Sequence, residues 1–123
     1  MPRLLRECDR VISMAPLGPS LSMMNYLSFA PHPSESGEAA LDLFSFHPAD
    51  YAIVSGAKGR NVVIAGSNAL AVDAVSTALQ GADPTAVRHL DLAVKRGYGT
   101  NDAYSIWTRG SEIDEVKAEF RKQ

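Results

Sequence analysis

The residues best placed for chemistry surround a Gly66-Ser67-Asn68 corner, which follows the apolar run Val62-Val63-Ile64-Ala65 and precedes an alanine-rich segment containing Asp73. A strand that ends in small polar residues at a helix start presents unpaired backbone N–H groups and the positive end of a helix dipole. Such a corner suits a phosphate or carboxylate. Neither GxGxxG nor GxxxxGK[ST] occurs, so an ordinary N-cap at a strand-to-helix junction is the competing reading. Asp73 shares a helical face with Ala69, Ser76, Thr77 and Gln80, while Leu70, Val72, Ala74, Val75, Ala78 and Leu79 are apolar. Two roles stand open for it: a group at a ligand site, or a hydrogen-bonding group of the scaffold. Lys58 and Arg60 add positive charge if their loop folds over the corner, and are otherwise solvated turn residues.

The remaining chemical signals are weaker. His32, His47 and His89 show no HxxxH or His-x-Glu spacing, so a metal site would have to gather ligands from distant segments. Cys8 is the only cysteine, which excludes an internal disulfide and a four-cysteine cluster within one chain, and it reads as a reduced, partly buried residue. No GxSxG elbow singles out a nucleophilic serine. The expectation is a chain without resident metal or organic cofactor.

Positioning these residues requires a layered fold. Arg10 to Met14 reads as a short buried strand stopped by Pro16 and Pro19. Residues 20 to 30 read as a short helix capped by Ser20, and Ser36 to Phe46 as a helix with Ala39, Ala40, Leu43 and Phe44 at helical spacing. Tyr51 to Val54 and Asn61 to Ala65 are β-branched runs joined by a connection too short for a crossover helix; they pair as a hairpin or share a sheet with a strand between them. A helix over 69 to 80 stops at Gly81, and Asp83-Pro84 opens another running to about Arg96, with Arg96-Gly97-Tyr98-Gly99 as its C-cap and turn. Tyr104 to Thr108 alternates like a strand, and Ser111-x-x-Asp114 opens a last helix with an apolar stripe of Ile113, Val116 and Phe120. The order predicts a single α/β domain over 1 to 123: a mixed sheet of about four strands flanked by helices.

Several short stretches also come in a family's order. Val11-Ile12-Ser13-Met14-Ala15-Pro16, Met24-Asn25, Asp50-Tyr51-Ala52-Ile53-Val54, Val63 through Val75, Gly81-Ala82-Asp83-Pro84, His89-Leu90 and Arg96-Gly97-Tyr98-Gly99 together resemble the C-terminal half of the domain of unknown function 362. Many members carry ferredoxin-like cysteine motifs outside this region, and no settled activity attaches to the domain. The chain departs from the family pattern at Met24, where a lysine is usual, near Ser55, where an acid is usual, and between Gly56 and Asn61, where a glycine-rich insertion is shortened. With Cys8 alone, the iron–sulfur role of relatives does not carry over. The resemblance implies a shortened, divergent relative with Asp73, Asn25 and His89 among its matched positions.

A formal charge of −2 with 21% charged and 46% hydrophobic residues gives no basic field for nucleic acid, and no apolar run approaches the roughly 18 residues of a membrane span. Glu7, Cys8, Asp9 and Arg10 interrupt the N-terminal stretch where a signal peptide needs its apolar core, so a soluble, cytoplasmic chain is expected. The functional expectation is a non-catalytic module binding a small anion or a partner, with Gly66, Ser67, Asn68, Asp73, Asn25 and His89 as ligand-binding candidates. The alternative is a small enzyme using Asp73 with His89 or Asn25 near the corner. A domain resembling part of a larger one should expose apolar surface, and a homodimer is expected through Leu4, Leu5, Val11 and Ile12, through Met23, Met24, Tyr26, Leu27 and Phe29, or through Ile106 and Trp107.

Overall fold

A computed structural model describes residues 7–18, 21–29, 37–56 and 62–121. The chain is of the α/β class. Its sheet contains β1 (Ile12–Pro16), β2 (Tyr51–Ser55) and β3 (Val63–Gly66), in the order β1-β2-β3. β1 runs parallel to β2, and β3 is antiparallel to it, so the hairpin alternative holds; Gly56 N–H closes the connection on Val62 O at 2.7 Å. β1 extends through Pro16 rather than stopping before it. An edge strand tolerates a residue without an N–H, and the next donor, Leu17 N–H, reaches Ser55 O at 2.7 Å.

The helices are α1 (Gly37–Phe46), α2 (Ala69–Leu79), α3 (Arg88–Lys95) and α4 (Ile113–Arg121), with 3-10 turns at Met23–Phe29, Pro84–Ala86 and Ala103–Ser105. Three expectations need correction. The sheet has three strands among the described residues, not four. Asp102 accepts bonds from Tyr104 N–H and the Ser105 hydroxyl, and this local capture turns the chain into a 3-10 turn before any strand forms. The helix expected from Pro84 to Arg96 is broken at Val87, which is extended (φ −82°, ψ 121°), because Asp83 caps a separate turn through Thr85 N–H and hydroxyl. In place of the helix expected over 20 to 30, the described part of that stretch holds a seven-residue 3-10 helix, Met23–Phe29, and the expected cap Ser20 lies outside the described residues.

Ala15, Ala52 and Val54 face inward onto a core with Leu21, Met23, Tyr26, Leu41, Phe44, Leu70, Val72 and Leu90. Met23 and Tyr26 therefore fill this domain's own core rather than an interface. Ile64, within the apolar run 62 to 65, is half-buried, and Val63 beside it is exposed, because successive residues of β3 point to opposite faces and the helices cover only one. It joins the main core to a second cluster of Val75, Ala78, Leu79 and Ala103. On the opposite face the register sets Ile12 beside Tyr51, Met14 beside Ile53 and Ala65, and Pro16 beside Ser55 and Val63. No described helix is long and apolar enough to cross a membrane.

Candidate functional site

The corner forms as its sequence predicts. Asn68, extended at φ −119° and ψ 108°, caps α2 by accepting Ala71 N–H at 3.0 Å. Its amide also donates to Tyr98 O at 3.0 Å, which ties the corner to the turn after α3. Gly97 and Gly99 in that turn have φ of +87° and +136°, and a Cβ on Gly99 would stand 3.2 Å from the Asn68 amide nitrogen. Gly66 is close-packed as well: a Cβ there would meet Val72 at 3.1 Å. Lys58 and Arg60 lie outside the described residues.

From this corner a groove of about 810 Å³ runs along the free edge of β3. Ile64, Val72, Val75 and Leu79 form one wall, and Ile106, Trp107, Ile113 and Val116 the other. Ser67 and Asn68 line it together with Arg109, the single charged residue among its described lining. The Arg109 guanidinium lies 4.9 Å from the centre of the Trp107 ring, and Trp107 is 79% exposed. A groove of this size falls in the range of small-molecule sites, and a cation and a helix N-terminus on one lining each favour an anion. Among the described residues no acid, histidine or cysteine lines it, so the Ser67, Thr108 and Ser111 hydroxyls that do line it have no such general base beside them. Sequence reasoning used Trp107 only as a strand or interface residue and passed over Arg109. The signal available was a cation two positions after the only tryptophan, followed by Gly110, whose φ is +95°.

The other candidates lie elsewhere. Asp73 is fully buried: Ser22 donates its N–H (3.0 Å) and hydroxyl (2.6 Å) to Oδ1, and Met23 N–H donates to Oδ2 (2.9 Å). The carboxylate thus caps the Met23–Phe29 helix from α2, taking donors that a helix start leaves unpaired. Burial lifts its pKa to about 6, against the lowering effect of these hydrogen bonds. Of the two roles left open, the scaffold one is the role its bonds describe. Asn25 belongs to the same network: its amide donates to Ser13 Oγ (2.9 Å) and Met14 O (2.8 Å), and Ser13 donates to Ser22 O (2.8 Å). The chain Asp73–Ser22–Ser13–Asn25 joins α2 to β1 and occupies the edge of β1. His89 is buried in the first turn of α3, its Nε2 has no hydrogen-bond partner among the described residues, and burial lowers its pKa.

Cys8 does have a neighbour that sequence distance hid. His47 Nε2 lies 2.9 Å from Cys8 O and 3.7 Å from its sulfur, and the bond to the Cys8 carbonyl is the main cause raising the His47 pKa. Among the described residues no three His, Cys, Asp or Glu side chains assemble as metal ligands. No family model, curated protein or solved structure matches the chain.

Proposed function

We propose that the chain is a non-catalytic binding module whose groove takes a small anionic ligand with an apolar body. The observation that carries this reading is the lining itself: among the described residues it has apolar walls, one cation at Arg109, the Ser67-Asn68 start of α2, and no acid, histidine or cysteine. An aliphatic or aromatic carboxylate fits that chemistry, the body against Val75, Leu79, Ile106 and Ile113 and the head against Arg109 or the helix start. Gly66, Ser67 and Asn68 are its binding residues in this proposal, while Asp73 and Asn25 hold the scaffold. The same proposal takes the chain as a shortened relative of the domain of unknown function 362, working in the cytoplasm as a homodimer; the family and the location rest on the sequence.

Trp107 is the only tryptophan, so its fluorescence reports the groove directly. Octanoate, octanol and octylammonium share a tail and differ in the head. Octanoate should give a saturable change at lower concentration than the other two, and Arg109→Gln should weaken it about tenfold, the loss of one charge-assisted contact. An equal response to all three, or none that saturates, disproves the assignment.

A further inference from the structure

We infer that the outer face of the sheet packs against the same face of a second copy of this chain. The inference deepens the homodimer part of the proposed function; Val63 and Ala65 border both the face and the groove, but the two are read separately, the face by mass and the groove by Trp107 and octanoate. Ile12 is 62% exposed, Met14 67% and Val63 67%, and with Tyr51 they make four of the seven large apolar side chains that are exposed among the described residues. The exposed apolar surface is therefore concentrated on one face rather than scattered. A parallel strand pair such as β1 and β2 is ordinarily covered on both faces, and here the helices and their core occupy only one.

Three features select a second copy as the cover. The outer positions of all three strands carry no ionisable side chain apart from the Tyr51 phenol, so nothing there recognises a charged peptide or a phosphate backbone, and two such faces meet without like-charge repulsion. The formal charge of −2 adds little long-range repulsion between copies. The face is also complementary to itself in shape. It is bulkier on β1, with Ile12 and Met14, than on β3, with Val63 and Ala65. A two-fold axis along the strands brings β2 against β2 and each β1 onto the partner's β3, larger side chains over smaller ones. Three strands about 4.8 Å apart make a face smaller than the roughly 800 Å² per partner of a standard interface, which fits a weak, reversible dimer rather than an obligate one.

Sedimentation and light scattering between about 1 and 200 µM test the arrangement. The mass should rise from 13.2 kDa towards twice that value. Met14→Lys and Val63→Glu, both at exposed positions and checked for folding by circular dichroism, should each hold the chain monomeric. An equimolar mixture of the two should recover dimer, because the lysine of one copy meets the glutamate of the other. Phe46→Lys, at the end of α1 and off this face, should behave as the unmodified chain. A chain that stays monomeric throughout, including one that instead sediments with phosphatidylcholine vesicles, overturns the inference. So does a dimer that survives both charge substitutions, or a mixture no more dimeric than its components.

Discussion

Asp73 shows how much one buried group can organise. Its carboxylate receives Ser22 N–H, the Ser22 hydroxyl and Met23 N–H, all removed from water, so truncation leaves three donors without an acceptor. Asp73→Ala should therefore cost about 3–5 kcal/mol in denaturant unfolding, while a loss under about 1 kcal/mol would show that water replaces the carboxylate. Its titration has an unusual sign. The folded pKa is about 6, raised from the ordinary value near 3.8, so between those values the folded chain holds a proton that the unfolded chain has lost. This group's contribution falls as pH rises through that window, by up to about 1.4 kcal/mol per pH unit, and is level outside it. The stability difference between the unmodified chain and Asp73→Asn isolates the effect; a difference that is flat from pH 4 to 7, or that grows with pH, contradicts it. From the sequence Asp73 was visible as an acid among small residues, but its role was not. Its partners Ser22 and Met23 lie about fifty positions away, and only packing brings them together.

At the level of elements, those whose signals are local were legible. Asn68 at the start of α2, Gly81 after its end, and Asp83-Pro84 at the next turn each act where the sequence places them, because caps and prolines act within a few residues. The failures came where alternation was trusted over side-chain capture. Tyr104 to Thr108 has a strand's pattern, yet Asp102 just before it binds Tyr104 N–H and Ser105 Oγ and fixes a turn. β3 was the subtler case: Val62-Val63-Ile64 looks like a fully buried run, but a sheet covered by helices on one face buries only alternate residues of each strand, as in β1 and β2. Ile64 is half-covered and bridges the two apolar clusters. Ile64→Ala should thus cost about 1–3 kcal/mol, at or below the lower end of the range for a fully buried isoleucine. A cost below about half a kilocalorie per mole would mean that the clusters hold together without it.

For the molecule as a whole, the sequence signalled exposed apolar surface without locating it. Met23 and Tyr26 looked like an adaptable patch and are nearly fully buried, whereas Met14, read as part of a buried strand, is two-thirds exposed. The reason is that the sequence shows which residues are apolar and at what period, but not that the helices pack on one face of the sheet alone. If a second copy completes the other face, folding and association are linked, and dilution should lower thermal stability even though no contact within the chain changes. A hundredfold increase in concentration favours the dimer by about 1.4 kcal/mol per chain, and a domain of this length converts that into a midpoint rise of roughly 5 °C. Scanning calorimetry across that range should show the rise in the unmodified chain and in Phe46→Lys, and lose it in Met14→Lys. A midpoint independent of concentration in the unmodified chain would mean that the bare face contributes nothing to holding the fold together, and that the chain's stability resides entirely on the helical side of the sheet.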